Sequence, residues 1–258
     1  MKKLFVLIAA ACMTCTAAFA QTVKPFKEGE RAVFLGNSIT DGGHYHSYIW
    51  LYYMTRFPDM PIRVFNGGIG GDTAYDMNKR LDGDIFAMKP SVLMVTFGMN
   101  DSGYFEYNGD KPKEFGEQKY QESIKNYQQM EKRFKDLPDT RIVMVGTSPY
   151  DETVQLKENT PFKTKNETIK RLVEYQKESA AKNNWEFTDL NAPMTAINQQ
   201  YQQKDPTFTL CGSDRIHPDN DGHMVMAYLF LKAQGFVGKE VADVEINANK
   251  KQAVKSEN

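Results

Sequence analysis

A nucleophile and a base can be recognised in two segments that are far apart in the sequence. Ser38 stands in Gly36–Asp41 (GNSITD), directly after a short apolar run, and His217 stands in Asp214–Pro218 (DRIHP), three residues after Asp214. A serine hydroxyl is a weak nucleophile until a base takes its proton. In a turn, the Asp–His spacing lets the carboxylate hold one imidazole nitrogen while the other faces outward. Each segment also has a plainer interpretation, because the serine could cap a helix and the histidine could lie on an ordinary surface loop.

Donors that could stabilise a developing negative charge are present in two further segments. The glycines of Asn66–Thr73 (NGGIGGDT) let backbone N–H groups approach a ligand closely, and Asn100 in Phe97–Asp101 (FGMND) carries a side-chain amide. The glycine-rich segment lacks the lysine of a phosphate-binding loop and does not match the dinucleotide-binding pattern, which disfavours nucleotide binding. Asn100 alone could equally be a turn residue. Together the four segments supply a nucleophile, oxyanion donors, a base and an acid that orients the base.

The elements that must position these residues are predicted from the hydrophobic pattern. Continuous apolar runs predict buried parallel strands at Ala32–Leu35, Ile62–Phe65, Ser91–Thr96, Arg141–Val145 and Trp185–Thr188. Apolar residues at helical spacing predict helices between them at Tyr48–Phe57, Asp72–Leu81 (from an acidic N-cap), Gln118–Phe134, Phe162–Asn183 and Asp219–Gln234. This alternation predicts an α/β fold, a three-layer α/β/α sandwich with a central parallel, flavodoxin-like sheet. The carboxyl ends of such strands line one crevice, where the four segments can meet.

One domain is predicted between two terminal segments. Residues 1–20 have the pattern of a secretory signal peptide, with two lysines, a short apolar run and a small-residue end that favours cleavage after about Ala20. We therefore expect an exported protein with no membrane span after cleavage, and an uncleaved anchor is the alternative. Residues 21–240 form the predicted domain. The tail, residues 241–258, alternates apolar and polar residues over Val241–Val254, which fits an edge strand, the start of a further domain or a disordered end.

The composition excludes several classes of protein. Hydrophobic residues make up 41% and charged residues 25% of the chain, as in globular proteins. The formal net charge of -1 argues against nucleic acid as a partner. Of the 3 cysteines, Cys12 and Cys15 lie in the predicted leader, so their C-x-x-C spacing is not interpreted as a redox or metal motif. Only Cys211 remains in the mature chain, and no intramolecular disulfide is expected.

The four segments resemble, in order, the sequence blocks of the SGNH/GDSL hydrolase family, and the resemblance runs from about Arg31 to Phe236. It implies a serine ester hydrolase that works through an acyl-enzyme and needs no metal or organic cofactor. It also implies that Ser38 is the nucleophile, that His217 is the general base and that Asp214 is the partner of the histidine.

The resemblance further implies an oxyanion hole with three donors. These are the backbone N–H of Ser38, the backbone N–H of Gly71 (with Gly70 as the fallback) and the side chain of Asn100. One position departs from the family pattern, since Asn37 stands where the family usually has aspartate before the serine. Asparagine keeps an acceptor oxygen and a similar shape but loses the charge, so only the local hydrogen bonding is put in doubt.

Substrate-binding residues are predicted less directly, and four are proposed: His44, His46, Tyr104 and Tyr150. The two histidines could bind zinc, but a third and fourth ligand are not evident nearby, so we expect no metal and either substrate contact or packing. Aromatic faces suit sugar rings and acyl chains equally, and a packed surface loop is the alternative for the segment that contains Tyr104. His223, on the last predicted helix, is expected to be structural.

Export, a mean hydropathy of -0.57 and the absence of a long apolar lid favour a small acyl group, such as acetyl, on a carbohydrate. The expected partner is therefore a small-molecule or glycan ester. The rival within the class is a lysophospholipase or thioesterase that acts on longer chains. Hypotheses from other classes are a non-catalytic glycan-binding module and a nucleotide-binding signalling domain of flavodoxin-like shape. The nucleophile–base pair argues against the first and the predicted export against the second.

Overall fold

The computed structural model describes residues 22–158, 160–238, 243–249 and 252–257. The predicted signal peptide lies outside the described residues, and so does part of the C-terminal tail. The described chain begins with an irregular segment in which Val23 and Phe26 are buried, and the backbone N–H of Val23 donates to the carbonyl of Ala233 at 3.2 Å.

Five parallel strands form the central sheet in the order β2-β1-β3-β4-β5. The strands are β1 (Arg31–Gly36), β2 (Arg63–Gly68), β3 (Val92–Val95), β4 (Arg141–Gly146) and β5 (Glu186–Asp189). All five coincide with the predicted apolar runs to within a few residues, which confirms the predicted flavodoxin-like sheet. The strand order reverses between β1 and β3, and a ligand crevice is expected outside the carboxyl ends of the strands at that point.

Seven helices flank the sheet in the described part of the chain. They are α1 (Ser38–Asp41), α2 (His44–Arg56), α3 (Ala74–Arg80), α4 (Pro112–Lys135), α5 (Lys165–Asn183), α6 (Asn191–Gln202) and α7 (Asn220–Ala233). A π-helical turn (Leu81–Ile85) and a 3-10 turn (Phe86–Met88) continue α3, and a second 3-10 turn spans Phe105–Asn108. Every predicted helix is present. The cap of α3 is Thr73 rather than the predicted Asp72, because a capping box joins Thr73 to Asp76.

The side chains of the sheet alternate between two apolar layers, as the period of a strand requires. In β1, Ala32 and Phe34 face the layer beneath α2 and α7, whereas Val33 and Leu35 face the layer beneath α3 and α4. All four are fully buried. Burying one large apolar side chain contributes about 1.5–3 kcal/mol, so these layers fix the positions of the strand ends.

Helix α6 and the pairing of the tail strands were not anticipated. Helix α6 is rich in asparagine and glutamine and carries Pro193, so its pattern is weak; in the structure Asp189 Oδ1 accepts from the backbone N–H groups of Asn191 and Ala192 at its start. In the tail, β6 (Asp243–Asn247) and β7 (Gln252–Glu257) pair with each other in an antiparallel sheet of their own. The alternation of the tail is thus that of strands, and these strands pair with each other rather than with the edge of the central sheet.

Candidate active site

Ser38 is the first residue of α1, immediately beyond the carboxyl end of β1. Asn37 caps this short helix, and its Oδ1 accepts a hydrogen bond from the backbone N–H of Ile39 at 3.1 Å. The asparagine thus supplies the acceptor that an aspartate would supply. Behind the turn, a Cβ at Gly68 would collide with the backbone of Asp41, so only glycine allows this close approach of β2 to α1.

Ser38, His217 and Asp214 form one hydrogen-bonded chain. Ser38 Oγ lies 2.7 Å from His217 Nε2, and His217 Nδ1 lies 2.6 Å from Asp214 Oδ2. A carboxylate can only accept, so Nδ1 carries the proton and Nε2 is left to accept from the hydroxyl. The serine is half-buried and the histidine is exposed, so both solvent and a substrate can reach the reacting atoms.

The electrostatics of this pair favour a proton on the histidine during a reaction. The hydrogen bond to Asp214 raises the pKa of His217 above its ordinary value of 6.5 and outweighs partial burial, which acts in the opposite direction. Burial by itself raises the pKa of Asp214, but hydrogen bonds from the ring and backbone of His217 and from the backbone of Ile216 bring it below its ordinary value. The aspartate therefore stays ionised and stabilises an imidazolium.

The loop that carries the histidine is anchored by Arg215. This residue has a left-handed backbone (φ +69°), a strained conformation for an arginine, and its side chain is buried. Its Nη1 donates to the carbonyls of Asp151 at 3.1 Å and Val154 at 2.7 Å. The backbone N–H of Asp151 donates back to the carbonyl of Arg215 at 3.1 Å. These contacts tie the loop that carries His217 to the segment that follows β4.

Asn100 lies in the loop after β3, and its amide is held at both ends. Its Nδ2 donates to the carbonyl of Asp72 at 2.9 Å, and its Oδ1 accepts from the hydroxyl of Tyr104 at 2.5 Å. A donor on the oxygen and an acceptor on the nitrogen fix which way the amide points. The contact to Asp72 uses one of the two N–H donors of the amide, which leaves the second for a further acceptor.

The glycine-rich loop after β2 turns beside the serine. The backbone N–H of Asp72 donates to the carbonyl of Ile69 at 3.2 Å and closes the turn. Within it, a Cβ at Gly70 would lie 4.0 Å from Ser38 Cβ, which places Gly70 against the serine. Gly71 follows in the left-handed conformation (φ +85°), is exposed and has open space around it. Both glycines named from the sequence are thus in the turn next to Ser38.

Two charged residues that the sequence analysis did not single out hold this loop and the Asn100 loop. Arg80 donates to Asp72 Oδ2 at 2.6 Å and to the carbonyl of Gly67 at 2.8 Å, and so ties the end of β2 to the start of α3. Asp101 is buried and accepts from the backbone N–H groups of Ala74 at 2.8 Å and Gly98 at 3.0 Å.

A third such residue is Lys165, whose side chain is fully buried beneath the Asn100 loop. The position of Lys165 relative to the apolar residues of the helix could have indicated that it is buried. Lys165 shares the buried stripe of α5 with Ile169 and Leu172, at i+4 and i+7, where an amphipathic helix carries its apolar side chains.

The four predicted substrate-binding residues are placed differently by the structure. Tyr104 is half-buried beside Asn100, as its hydrogen bond requires. His44 is exposed and stacks on His223, with ring centroids 5.0 Å apart. His223 itself is buried in the packing between α2 and α7, in agreement with its expected structural part.

The side chains of His46 and Tyr150 are both buried, which favours packing over contact with a substrate. His46 lies on the inner face of α2, where its Nε2 is 3.2 Å from the carbonyl of Thr40. The hydroxyl of Tyr150 accepts from the backbone N–H of Phe162 at 2.9 Å, so the ring packs behind the site. For His46, packing was the other alternative that the sequence left open.

Within the described residues, no group of three or more histidine, cysteine, aspartate or glutamate side chains could hold a metal ion. His44 and His46 are two positions apart on α2, one exposed and one buried, so they do not face a common point. The remaining cysteine, Cys211, is free and buried, and burial raises the pKa of its thiol to about 12. In the described part of the chain, no helix has the length and apolar character needed to cross a membrane.

A serine, a histidine and an aspartate joined in one chain at the carboxyl ends of a parallel sheet define the site of a serine hydrolase. Residues 34–225 match the model of the GDSL-like Lipase/Acylhydrolase family, and the chain belongs to that family.

Relatives with names and structures agree with this assignment. An acetylxylan esterase of Geobacillus stearothermophilus is 27% identical over 224 residues, which are 81% of this chain and 95% of the relative. A crystal structure of Axe2, an acetylxylan esterase of the same organism, matches with a TM-score of 0.64 and 25% identity over 81% of this chain and 96% of that one.

The structure of a gut microbial diltiazem-metabolizing enzyme matches 92% of this chain with 85% identity and a TM-score of 0.87. The chain spans about half of that protein, 54% of its length. The family and these relatives identify the chain as a serine carboxylic ester hydrolase.

Proposed function

We propose that this protein is an exported carbohydrate esterase that removes small acyl groups, acetyl above all, with Ser38 as nucleophile, His217 as general base and Asp214 as its orienting acid. The observation that carries the assignment of the residues is the unbroken chain of contacts from Ser38 Oγ to His217 at 2.7 Å and from His217 to Asp214 at 2.6 Å. A binding module has no need of a hydroxyl aligned with an imidazole.

The reaction proceeds in two halves. Ser38 Oγ attacks the ester carbonyl while His217 Nε2 takes its proton, and the tetrahedral oxyanion accepts hydrogen bonds from the backbone N–H groups of Ser38 and Gly71 and from the amide of Asn100. The C–O bond to the leaving alcohol breaks as His217 returns the proton to the alcohol oxygen. A water then attacks the acyl-enzyme and loses one proton to His217. The bond from the acyl carbon to Ser38 Oγ breaks as His217 returns that proton to Oγ, which releases the carboxylic acid and restores Ser38.

Acetyl is favoured as the acyl group by the chemistry of two named relatives. The Geobacillus stearothermophilus relative is an acetylxylan esterase, and the gut microbial relative metabolizes diltiazem. Acetylxylan and diltiazem have little in common except that each carries an acetate ester of a secondary alcohol. An enzyme that binds the acetyl group closely and the alcohol loosely accommodates both kinds of substrate.

A polar cavity that Asn100 lines, although Ser38 and His217 do not, is the candidate site for a sugar as the alcohol. It has a volume of about 290 Å³, and its lining includes Thr73, Tyr75, Glu122 and Asn126. Tyr75 is 50% exposed and has the ammonium of Lys79 over one face of its ring, 3.9 Å from the centroid; an exposed aromatic ring among hydrogen-bonding side chains is suited to a sugar ring. Export is supported by the leader pattern of residues 1–20.

The substrate assignment is tested with p-nitrophenyl esters of increasing acyl length and with acetylated xylo-oligosaccharides and diltiazem. We expect kcat/KM to be highest for the acetate ester and to fall with longer acyl chains. We also expect release of acetate from acetylated xylo-oligosaccharides, from diltiazem or from both. A maximum beyond about eight carbons would favour the lysophospholipase or thioesterase alternative, because each buried CH₂ contributes roughly 0.8 kcal/mol in a true acyl pocket.

The sugar-binding cavity is tested separately by Tyr75→Ala. We expect KM for acetylated oligosaccharides to rise, with little change for p-nitrophenyl acetate, which has no sugar. Tyr228→Ala is the matched control, since Tyr228 is 49% exposed and lies on α7, which packs on the opposite face of the sheet. Equal effects of the two substitutions would contradict the assignment of this cavity.

A further inference from the structure

Lys165 is a cation with no access to solvent. Its side chain is fully buried, and its Nζ donates to the carbonyls of Met99 at 2.7 Å and Gly103 at 2.5 Å and to Ser102 Oγ at 2.6 Å. These three acceptors use all three N–H bonds of an ammonium. They also lie on both sides of Asn100, so a single buried charge closes the loop that carries this residue.

The position of Lys165 goes against the ordinary preferences of the chain. It is the first residue of α5, where the helix dipole disfavours a positive charge. The residue before it, Thr164, is in the left-handed conformation (φ +70°), which costs a β-branched residue free energy. Burial also lowers the pKa of Lys165 to about 7, although the carboxylates of Asp101 and Glu152 act in the opposite direction. Such local conflicts concentrate at functional sites.

Lys165 is linked to the amide of Asn100 by a second route, through an aromatic ring. Its Nζ lies 3.9 Å from the ring centroid of Tyr104, whose hydroxyl donates to Asn100 Oδ1. The ring centroid of Tyr150 lies 5.7 Å from the same Nζ. A buried cation against the face of an aromatic ring is stabilising and restrains the ring. The orientation of the Tyr104 hydroxyl, and with it that of the amide, therefore depends on Lys165.

We propose that Lys165 is a positioning residue for the oxyanion hole: its ammonium holds the Met99–Gly103 loop and the ring of Tyr104, and so aims the free N–H of Asn100 at the oxyanion. This inference rests on the proposed function, in which Asn100 is an oxyanion donor. Lys165 does not touch the reacting atoms, and its effect on catalysis passes through Asn100.

A double-mutant cycle between Lys165→Met and Asn100→Ala tests this dependence, with kcat and KM for p-nitrophenyl acetate measured on purified folded protein. Methionine keeps the length of the side chain and removes the charge and the donors. With Asn100 present, we expect Lys165→Met to lower kcat on the order of 10- to 100-fold with little change in KM, since misplacement of a catalytic group on the scale of 1 Å can cost about 10²-fold. With Ala at position 100, the same substitution should change kcat by no more than about 2-fold.

Equal losses of kcat in the two backgrounds would overturn the proposal, because a merely structural lysine lowers activity whether or not Asn100 is present. If Asn100→Ala alone leaves kcat unchanged, it is the oxyanion assignment in the proposed function that fails. These two failures are therefore distinguishable. Lys170→Met is the matched control: Lys170 is on the same helix and exposed, and its loss should leave kcat unchanged in both backgrounds.

A second variant keeps the test decisive if Lys165→Met does not fold. Ser102→Ala removes one acceptor of the ammonium, together with the hydrogen bond from Ser102 Oγ to the carbonyl of Met99 at 2.9 Å, and leaves the charge and its two carbonyl acceptors. We expect a smaller loss of kcat, of roughly 3- to 10-fold, that again disappears in the Asn100→Ala background. A loss that persists undiminished in that background would count against the proposal as well.

Discussion

The two sides of the site are built in opposite ways. On the acid–base side, the side chains of His217 and Asp214 are 48% and 46% exposed, and a hydrogen bond joins them at the surface. On the oxyanion side, Lys165 and Asp101 are 0% and 6% exposed and are surrounded by backbone groups that they bind. The first side holds its charges in water, and the second holds them away from it.

The difference follows from what each side must do. His217 gains and loses a proton twice per turnover, and a group that changes charge is less costly to charge where water can respond. The amide of Asn100 stays neutral and keeps one orientation throughout the reaction. A fixed dipole stabilises an oxyanion most when it does not have to reorganise. The comparison therefore predicts that the loss of Asp214 changes the pH dependence of the rate, whereas the loss of Asn100, whose amide does not titrate, changes the rate alone.

The largest effect that separates the two sides is expected from Asp214→Asn. We expect kcat to fall about 10⁴-fold, because an amide can hold the histidine in the wrong tautomer. Asp214 is also the main cause of the raised pKa of His217. The acidic limb of kcat/KM should therefore move to lower pH in the variant. A pH–rate profile of the residual activity checks both expectations. An acidic limb that stays at the wild-type pH would show that Asp214 does not raise the pKa of His217.

On the other side, Asn100→Ala should lower kcat about 10²- to 10³-fold through the loss of one oxyanion donor. The acidic limb should stay where it is in the wild type, since the amide does not titrate. Steady-state kinetics at several pH values give both quantities. A wild-type kcat in the variant would show that Asn100 is not an oxyanion donor. A shifted acidic limb would contradict the proposed difference in pH dependence between the two sides.

The pH dependence of the wild type gives the next largest effect. His217 must be neutral to accept the proton of Ser38, and its pKa lies above 6.5. As the pH falls below that pKa, kcat/KM should fall about tenfold per pH unit. Asp214 has a lowered pKa and stays ionised over this range, so it adds no second step. A limb whose midpoint lies below 6.5 would contradict the raised pKa.

The smallest expected effect is on stability, and it concerns Arg215, which anchors the loop that carries His217. Arg215→Met leaves the carbonyls of Asp151 and Val154 without their buried donor, and we expect the free energy of unfolding to fall by about 2–4 kcal/mol. Arg171→Met is the control: Arg171 is 46% exposed, and its surface ion pair contributes about 0–1 kcal/mol. Equal changes in urea unfolding of the two variants would show that the loop is not held by Arg215.

The residues of the candidate site stand out in the sequence where their signals are local. Ser38, Gly71, Asn100 and His217 each stand in a short segment whose residue types have a chemical use, and the apolar runs that precede the first three identify the strand ends. The parallel topology then brings the segments together, so both the fold and the candidate site could be predicted from local patterns.

The supporting charges could not be predicted in the same way, because their contacts come from distant elements. Arg215 binds carbonyls of the loop after β4, and Lys165 binds the loop after β3 from the start of α5. A lysine at a helix start is ordinarily solvated. The buried position of His46 has a local cause: α2 begins at His44 rather than at the predicted Tyr48, which turns His46 toward the core.

The most direct test of the central claim compares wild-type protein with Ser38→Ala in the hydrolysis of p-nitrophenyl acetate, with the folding of both checked by thermal unfolding. The aligned contact between Ser38 Oγ and His217 Nε2 predicts turnover by the wild type and a loss of kcat on the order of 10⁶-fold in the variant. Equal turnover by the two proteins would show that Ser38 is not the nucleophile and would contradict the account of the site.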